Sequence, residues 1–324
     1  MTAGPQTVPI RPLASPAGGV YRDALVEVRA QSGPTPRRDL QTVRTPHFDL
    51  TPAGHRVSVV HRVDPERIDD DLSGILADEL FQPGWLRGGE LFEHLFTGVV
   101  LSSHPDPLVA WEGFYRNTLA RVAVSTGGAP AAAAGHGTIA GYAPVYAHVE
   151  RLLLPGSVLE LGSCFGFLSL RLAEAGRDVT ASDISTGTVD LLSAVAPRLG
   201  VDLATRVDDA ARVHLPDDSV DNVLAIHLLE HLEPRHGARV LAEAIRLARR
   251  RVVVAVPLED EADATWGHVR TISLADLAAW GAATGLPHQV TEHHGGWLVM
   301  DVAPQTPGAR RLRNPTTPAH PEEP

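Results

Sequence analysis

His227-Leu-Leu-Glu230-His231 sets two imidazoles and a carboxylate within five residues, and a third imidazole follows in Trp266-Gly-His268-Val-Arg270. On a helix, the i, i+3, i+4 spacing would bring the first three side chains to one face. Two kinds of chemistry suit such a set. His231 or His268, oriented by Glu230, can take the proton of an acceptor hydroxyl, which is a poor nucleophile at neutral pH without that help. Alternatively His227, Glu230, His231 and His268 can ligate a divalent ion of the Mn, Zn or Fe type, since imidazole suits all three. A third reading makes Glu230 and His231 a packing or capping pair.

A second stretch carries binding chemistry. Val158-Leu-Glu160-Leu-Gly162-Ser-Cys164-Phe-Gly166 closes an apolar run with an acid and two glycines, and a helical apolar pattern follows (Phe167, Leu168, Leu170, Leu172). Strand, glycine turn and helix form the entry unit of a nucleotide-binding α/β sheet. Cys164 and Phe167 occupy the second and third glycine slots of the dinucleotide fingerprint, so that fingerprint fails. A carboxylate at Glu160 would also repel a pyrophosphate, whereas it suits a cationic ligand with an amino-acid end, such as S-adenosylmethionine. Asp183, 23 residues further on, can accept hydrogen bonds from a ribose, with capping of the next helix as the alternative.

This loop resembles the first motif of the class I S-adenosylmethionine-dependent methyltransferases, [DE]-x-G-x-G-x-G, with Cys164 in the middle glycine slot. The resemblance implies cofactor contacts at Glu160, Gly162, Ser163, Cys164, Gly166, Asp183 and Ile184. It places an adenine-binding acid in Asp208-Asp209-Ala210, where Asp209 and Ala210 fit better and Asp208 stays open, and it adds His227 after the fourth strand. Sets similar to the histidine cluster, E-x-x-E-H plus a distant His, bind a divalent metal in some small-RNA methyltransferases. Here His227 stands in the first glutamate slot. The ubiquinone O-methyltransferases carry a related V-L-E-H stretch.

The elements that must hold these residues alternate. Strands are expected at 158–161, 178–183, 203–207, 220–226 and 251–256, with helices between them. Residues 289–293 and 297–302 read as a terminal hairpin around Gly295-Gly296. The fold expected is a Rossmann-like, mostly parallel seven-stranded α/β sheet with an antiparallel terminal hairpin and an N-terminal, mostly helical extension. Four segments follow: 1–40, a disordered Pro-rich tail; 41–137, a substrate or cap region; 138–303, the cofactor-binding domain; and 304–324, a disordered C-terminal tail. Within the second segment, 43–63 reads as a hairpin. Asp64-Pro65 opens a helix through Leu80, and two further helices cover Leu91–Val99 and Leu108–Leu119. Residues 125–137, rich in Gly and Ala, read as a lid or a slack connection.

Composition narrows the function. A formal charge of −11 disfavours nucleic acid as a partner. No apolar run reaches the ~18–20 residues that span a bilayer. One cysteine and no visible secretory signal fit a cytoplasmic protein. More closely, SVLELGSCFGFLSLRLA, HLLEHL, RRRVVVAVP, GHVRTIS and HHGGWLV, with GGELFEHLFTGVVLSSHPDPL upstream, resemble the mycofactocin oligosaccharide methyltransferases of actinobacteria over roughly residues 45 to 303. That resemblance implies methylation of a glucose hydroxyl in the sugar chain of a peptide-derived redox cofactor. Methylation of a phenol or quinol, and a non-catalytic cofactor-binding module, are the rival readings.

Overall fold

Strand periodicity begins earlier in the chain than its Pro-rich start suggests. The computed structural model describes residues 10–33, 41–126, 138–263 and 267–302. Within the stretch expected to be coil, β1 (Val20–Arg22) and β2 (Val26–Ala30) pair as antiparallel strands. Val26 and Val28 are fully buried while Glu27 and Arg29 face outward, a period-2 pattern too short to stand out in a Pro/Gly-rich background. β3 (Val43–Arg44), β4 (Phe48–Ala53) and β5 (Arg56–His61) complete a five-stranded sheet of order β1-β2-β5-β4-β3. The β4–β5 hairpin is the one read from the sequence. Its parallel neighbour β2 lies far away in the chain, so no turn signal announces the pairing.

The helix expected after Asp64 is broken. Asp64 does cap, accepting from the Glu66 amide, but only a 3₁₀ turn, Pro65–Arg67, follows. Then come α1 (Asp71–Leu76) and a π-helical turn, Ala77–Phe81. α2 (Gly89–Leu101) and α3 (Pro107–Thr126) match expectation, and α4 (Thr138–Gly141) and α5 (Ala143–Leu152) lead into the large sheet. The Gly/Ala loop, read as lid or slack connection, begins in the last turn of α3 and from residue 127 lies outside the described residues, as do the C-terminal tail and Trp266. Among the described residues no helix is long and apolar enough to cross a membrane.

The large sheet follows the sequence reading closely: β6 (Val158–Leu161), α6 (Phe167–Glu174), β7 (Val179–Asp183), α7 (Thr186–Val195), β8 (Ala204–Val207), β9 (Val220–Ile226), α8 (Pro234–Leu247), β10 (Ala248–Val256), α9 (Leu274–Thr284), β11 (His288–Glu292) and β12 (Gly296–Asp301). Strand order is β11-β12-β10-β9-β6-β7-β8, with β12 antiparallel to both its neighbours, β11 and β10, and every other pair parallel. This is a Rossmann-like sheet. Alternation along its strands splits the core in two. Leu159, Val223, Val252 and Leu298 face α8 and α9. Val158, Leu224, Val253 and Trp297 join one continuous cluster that runs through Trp111 and Tyr115 to Val28 and Phe48 of the small sheet. The N-terminal block is therefore packed onto one face of the large sheet.

Candidate active site

Strand order reverses at β6, which has β7 on one side and β9 on the other. Open α/β sheets bind ligands in the crevice at the carboxyl ends of such a pair. Here those ends carry the Glu160–Gly166 loop and His227.

The loop is drawn tight from several sides. Gly162, Cys164 and Gly166 have φ of +70°, +49° and +73°. Cys164 thus keeps the left-handed backbone of the glycine it replaces, at a steric cost of roughly 1–2 kcal/mol. A Cβ on Gly162 would lie 2.6 Å from Leu228 Cδ1, and one on Gly166 would lie 2.4 Å from Leu192 Cδ2. Asp183 holds the loop from below: Cys164 N donates to its Oδ2 and Ser185 N to its Oδ1, both at 2.9 Å. Ser185, not Asp183, caps α7 by accepting from Thr188 N. Ser163 lies buried in the loop with its hydroxyl unpartnered, and Ile184 stands out at 69% exposure beside Asp183.

A carboxylate uses only part of its accepting capacity on two amides, so Asp183 can still receive ribose hydroxyls. Asp183→Ala is expected to weaken S-adenosylmethionine binding roughly ten- to a hundredfold, the loss that follows from charged hydrogen bonds. Isothermal titration checks this, and unchanged affinity would remove Asp183 from the site.

The two neighbouring acids at the end of β8 separate cleanly. Asp208 is consumed by Arg206 and His214, at 2.8 and 2.9 Å. Asp209, beside Ala210, is half-exposed, accepts from the Ala211 amide and lies 3.2 Å from His236 Nε2. Of the pair, Asp209 is the one with accepting capacity to spare.

Glu160 sits lower than a solvent-facing ligand for an ammonium would. It is buried, its carboxyl receives the Ser169 hydroxyl, and burial pushes its pKa up to about 7. The sign has two consequences. Unliganded, the folded chain holds a proton that the unfolded chain has lost, so stability falls as pH rises from the ordinary carboxyl range towards 7. A cationic ligand needs the ionised form, so S-adenosylmethionine affinity is expected to rise with pH up to about 7 and then level off. Titrations across that window check it, and a flat profile would show that Glu160 stays neutral beneath the ligand.

The histidine cluster differs from its expected geometry. His227 leaves β9 with φ +52°, and Leu229–His231 form only a 3₁₀ turn, so the three side chains do not line one helical face. His227 turns instead against Tyr142, ring centroids 4.6 Å apart, with Nδ1 3.3 Å from Glu230 Oε1. Neither of its ring nitrogens makes a hydrogen bond. His231 meets His268 edge-on at 4.9 Å. The distant histidine is delivered by the 267–270 segment, which clamps onto the turn: Val269 N donates to Glu230 O at 2.9 Å, and the Arg270 guanidinium donates twice to Leu229 O. Glu230 is 1% exposed, and neither carboxylate oxygen accepts a hydrogen bond.

Sequence reasoning missed Tyr142, whose helix gave no sign of meeting β9. It also missed Glu259, which bonds His268 Nδ1 at 2.7 Å. Leu228, between His227 and the turn, overhangs Gly162 and so joins the cluster to the loop.

Residues 158–251 match a family model described as a methyltransferase domain. Uncharacterized methyltransferases of Mycobacterium tuberculosis and Mycobacterium bovis are 37% identical over 100 residues, covering 30% of this chain and 38% of theirs. Among solved structures, a SAM-dependent methyltransferase from Aquifex aeolicus is 17% identical with a TM-score of 0.42, over 49% of this chain and 89% of that one. The magnesium protoporphyrin IX methyltransferase of Synechocystis with bound SAM is 20% identical with a TM-score of 0.40, over 49% and 76%. The matched segment includes the loop after β6, Asp183, Asp209 and the His227–His231 turn.

Proposed function

We propose that this chain, whose residues 158–251 match a methyltransferase-domain family, is a class I S-adenosylmethionine-dependent methyltransferase that transfers the cofactor's methyl group to a hydroxyl oxygen. The observation that carries the reading is the buried Glu230 carboxylate, which accepts no hydrogen bond and meets the His227 imidazole at 3.3 Å. It lies among three imidazoles and one leucine away from the cofactor loop. In the transfer, an acceptor oxygen forms the new C–O bond as the C–S⁺ bond breaks. The electron pair stays on sulfur as a neutral thioether, and the hydroxyl proton passes to an imidazole of the cluster (His227, His231 or His268) and on to water. Glu230 stabilises the imidazolium.

The acceptor favoured is a sugar hydroxyl, specifically a glucose of a small-molecule-linked oligosaccharide such as the mycofactocin glycan. Tyr142, its ring tilted against His227, is the aromatic side chain beside the cluster among the described residues, whereas a phenol or quinol ring calls for an aromatic-lined slot. The chain's acidic balance points away from nucleic acid, and a cytoplasmic setting fits its single cysteine.

The test is mass spectrometry of the protein incubated with S-adenosylmethionine and matched β-glucan-bearing and quinol acceptors. A glycan product heavier by one methylene is expected. Methylated quinols alone would overturn the acceptor class, and no product from any acceptor would overturn the catalytic reading.

A further inference from the structure

Both histidines beside Glu230 are anchored by the same nitrogen. His268 Nδ1 is tied to Glu259 Oε2 at 2.7 Å, and His231 Nδ1 to the Gly267 carbonyl at 3.3 Å. Donation from Nδ1 to an oxygen fixes the tautomer and leaves Nε2 as a free lone pair, the arrangement that outer-sphere oxygens impose on metal-ligating histidines. One ligand atom from each of Glu230, His231 and His268 lies within 4.8 Å of the others.

A carboxylate that is 1% exposed and accepts no hydrogen bond is an independent sign that something is missing. Burying such a group without hydrogen bonds is expensive; His227 Nδ1, 3.3 Å from Oε1, offsets the charge only when protonated, whereas a metal cation would offset it directly. The clamp through Val269 and Arg270 holds the two halves of the set together without using any ligating atom. His227, expected within the set, is not one of these three, although its Nδ1 reaches Glu230 Oε1 at 3.3 Å.

We infer that Glu230, His231 and His268 are the ligands of one divalent first-row metal ion, with Glu259 positioning His268. Two imidazoles and one carboxylate suit Mn, Fe, Co or Zn and leave coordination positions open. An ion there supplies Lewis acidity towards a hydroxyl acceptor. The assignment leaves His227, whose Nδ1 lies 3.3 Å from Glu230 Oε1 and whose Nε2 makes no hydrogen bond, as the imidazole available for the proton. It deepens the methyl-transfer reading, yet ion binding can be measured without turnover.

The experiment uses the untagged full chain, stripped with chelator and titrated separately with Mn²⁺, Co²⁺ and Zn²⁺. Binding is followed by calorimetry, by metal analysis and by the visible spectrum of the Co²⁺ form. One ion per chain is expected for at least one metal. Glu230→Gln and His268→Gln should abolish stoichiometric binding, and Glu259→Gln should weaken it about 10- to 100-fold. Circular dichroism melts confirm that each variant folds. Should a variant fail to fold, competition with a chelator on the parent chain supplies the affinity.

No stoichiometric ion on the parent chain, or undiminished binding by folded Glu230→Gln and His268→Gln chains, overturns the inference. Full turnover by the stripped chain also overturns it, while leaving methyl transfer intact. One ion per chain without turnover on any hydroxyl acceptor sustains the site and overturns the methyl-transfer reading.

Discussion

The Glu230→Gln chain is expected to bind S-adenosylmethionine as the parent does and to turn over about a hundred- to ten-thousandfold more slowly. The substitution is isosteric and the site is buried to 1% exposure, so packing survives while the negative charge is lost. Without that charge, the imidazolium formed on proton transfer has no counter-ion, and an ion in the cluster has no anionic ligand. Cofactor affinity is spared, because the loop is held by Asp183 and by the backbone, not by Glu230.

Stability separates this role from a structural one. A buried carboxylate without hydrogen bonds costs the fold, so removing its charge is expected to leave the metal-free protein equally stable or more stable, by up to about 2 kcal/mol. Steady-state kinetics and thermal melts of the same preparations check both. A lowered melting temperature with unchanged kcat would make Glu230 a packing residue and nothing more.

Trp111→Ala is expected to destabilise the chain by about 3–5 kcal/mol, the usual cost of deleting a fully buried indole. Trp111 is 0% exposed and packs within 6.4 Å, centroid to centroid, of Phe96, Phe114 and Phe165. Its indole nitrogen donates to Pro12 O at 2.6 Å, which ties the first described residues to α3. Phe165 belongs to the cofactor loop, and Tyr115 of α3 donates its hydroxyl to the Phe165 carbonyl at 2.8 Å. The cavity left by Trp111 therefore opens directly beneath the loop, and cofactor affinity should fall together with stability.

Denaturant unfolding and calorimetry measure the two losses. Trp85→Ala is the control, since that side chain is 54% exposed and its loss should stay within about 0.5 kcal/mol. If Trp111→Ala loses stability with no change in affinity, the N-terminal block supports the sheet but does not shape the cofactor loop.

The seven-stranded sheet, its terminal hairpin and the glycine loop were legible in the sequence because each is written locally. Continuous apolar runs mark strands buried on both faces, 3.6-residue periods mark the covering helices, and the glycines fall where φ must be positive. Asp183 and Asp209 could be placed because their distance from a strand end is a local property of the β-α unit.

Other features depend on contacts between distant segments. β2 gains its stability from pairing with β5, β1 from pairing with β2, and both from packing beneath α2, so their short alternation says little by itself. The turn after β9 is only 3₁₀, because positive φ at His227 turns that side chain away to Tyr142 and Val269 and Arg270 bind its carbonyls. The sequence thus determined which chemical groups are present and on which sheet edge they gather. Tertiary structure decided which of them face one another: it joined His268 to Glu230 and His231, set His227 between Glu230 and Tyr142, and supplied Tyr142 and Glu259. Residue spacing reports neighbours only while one regular element persists, and at this site the regular element ends at His227.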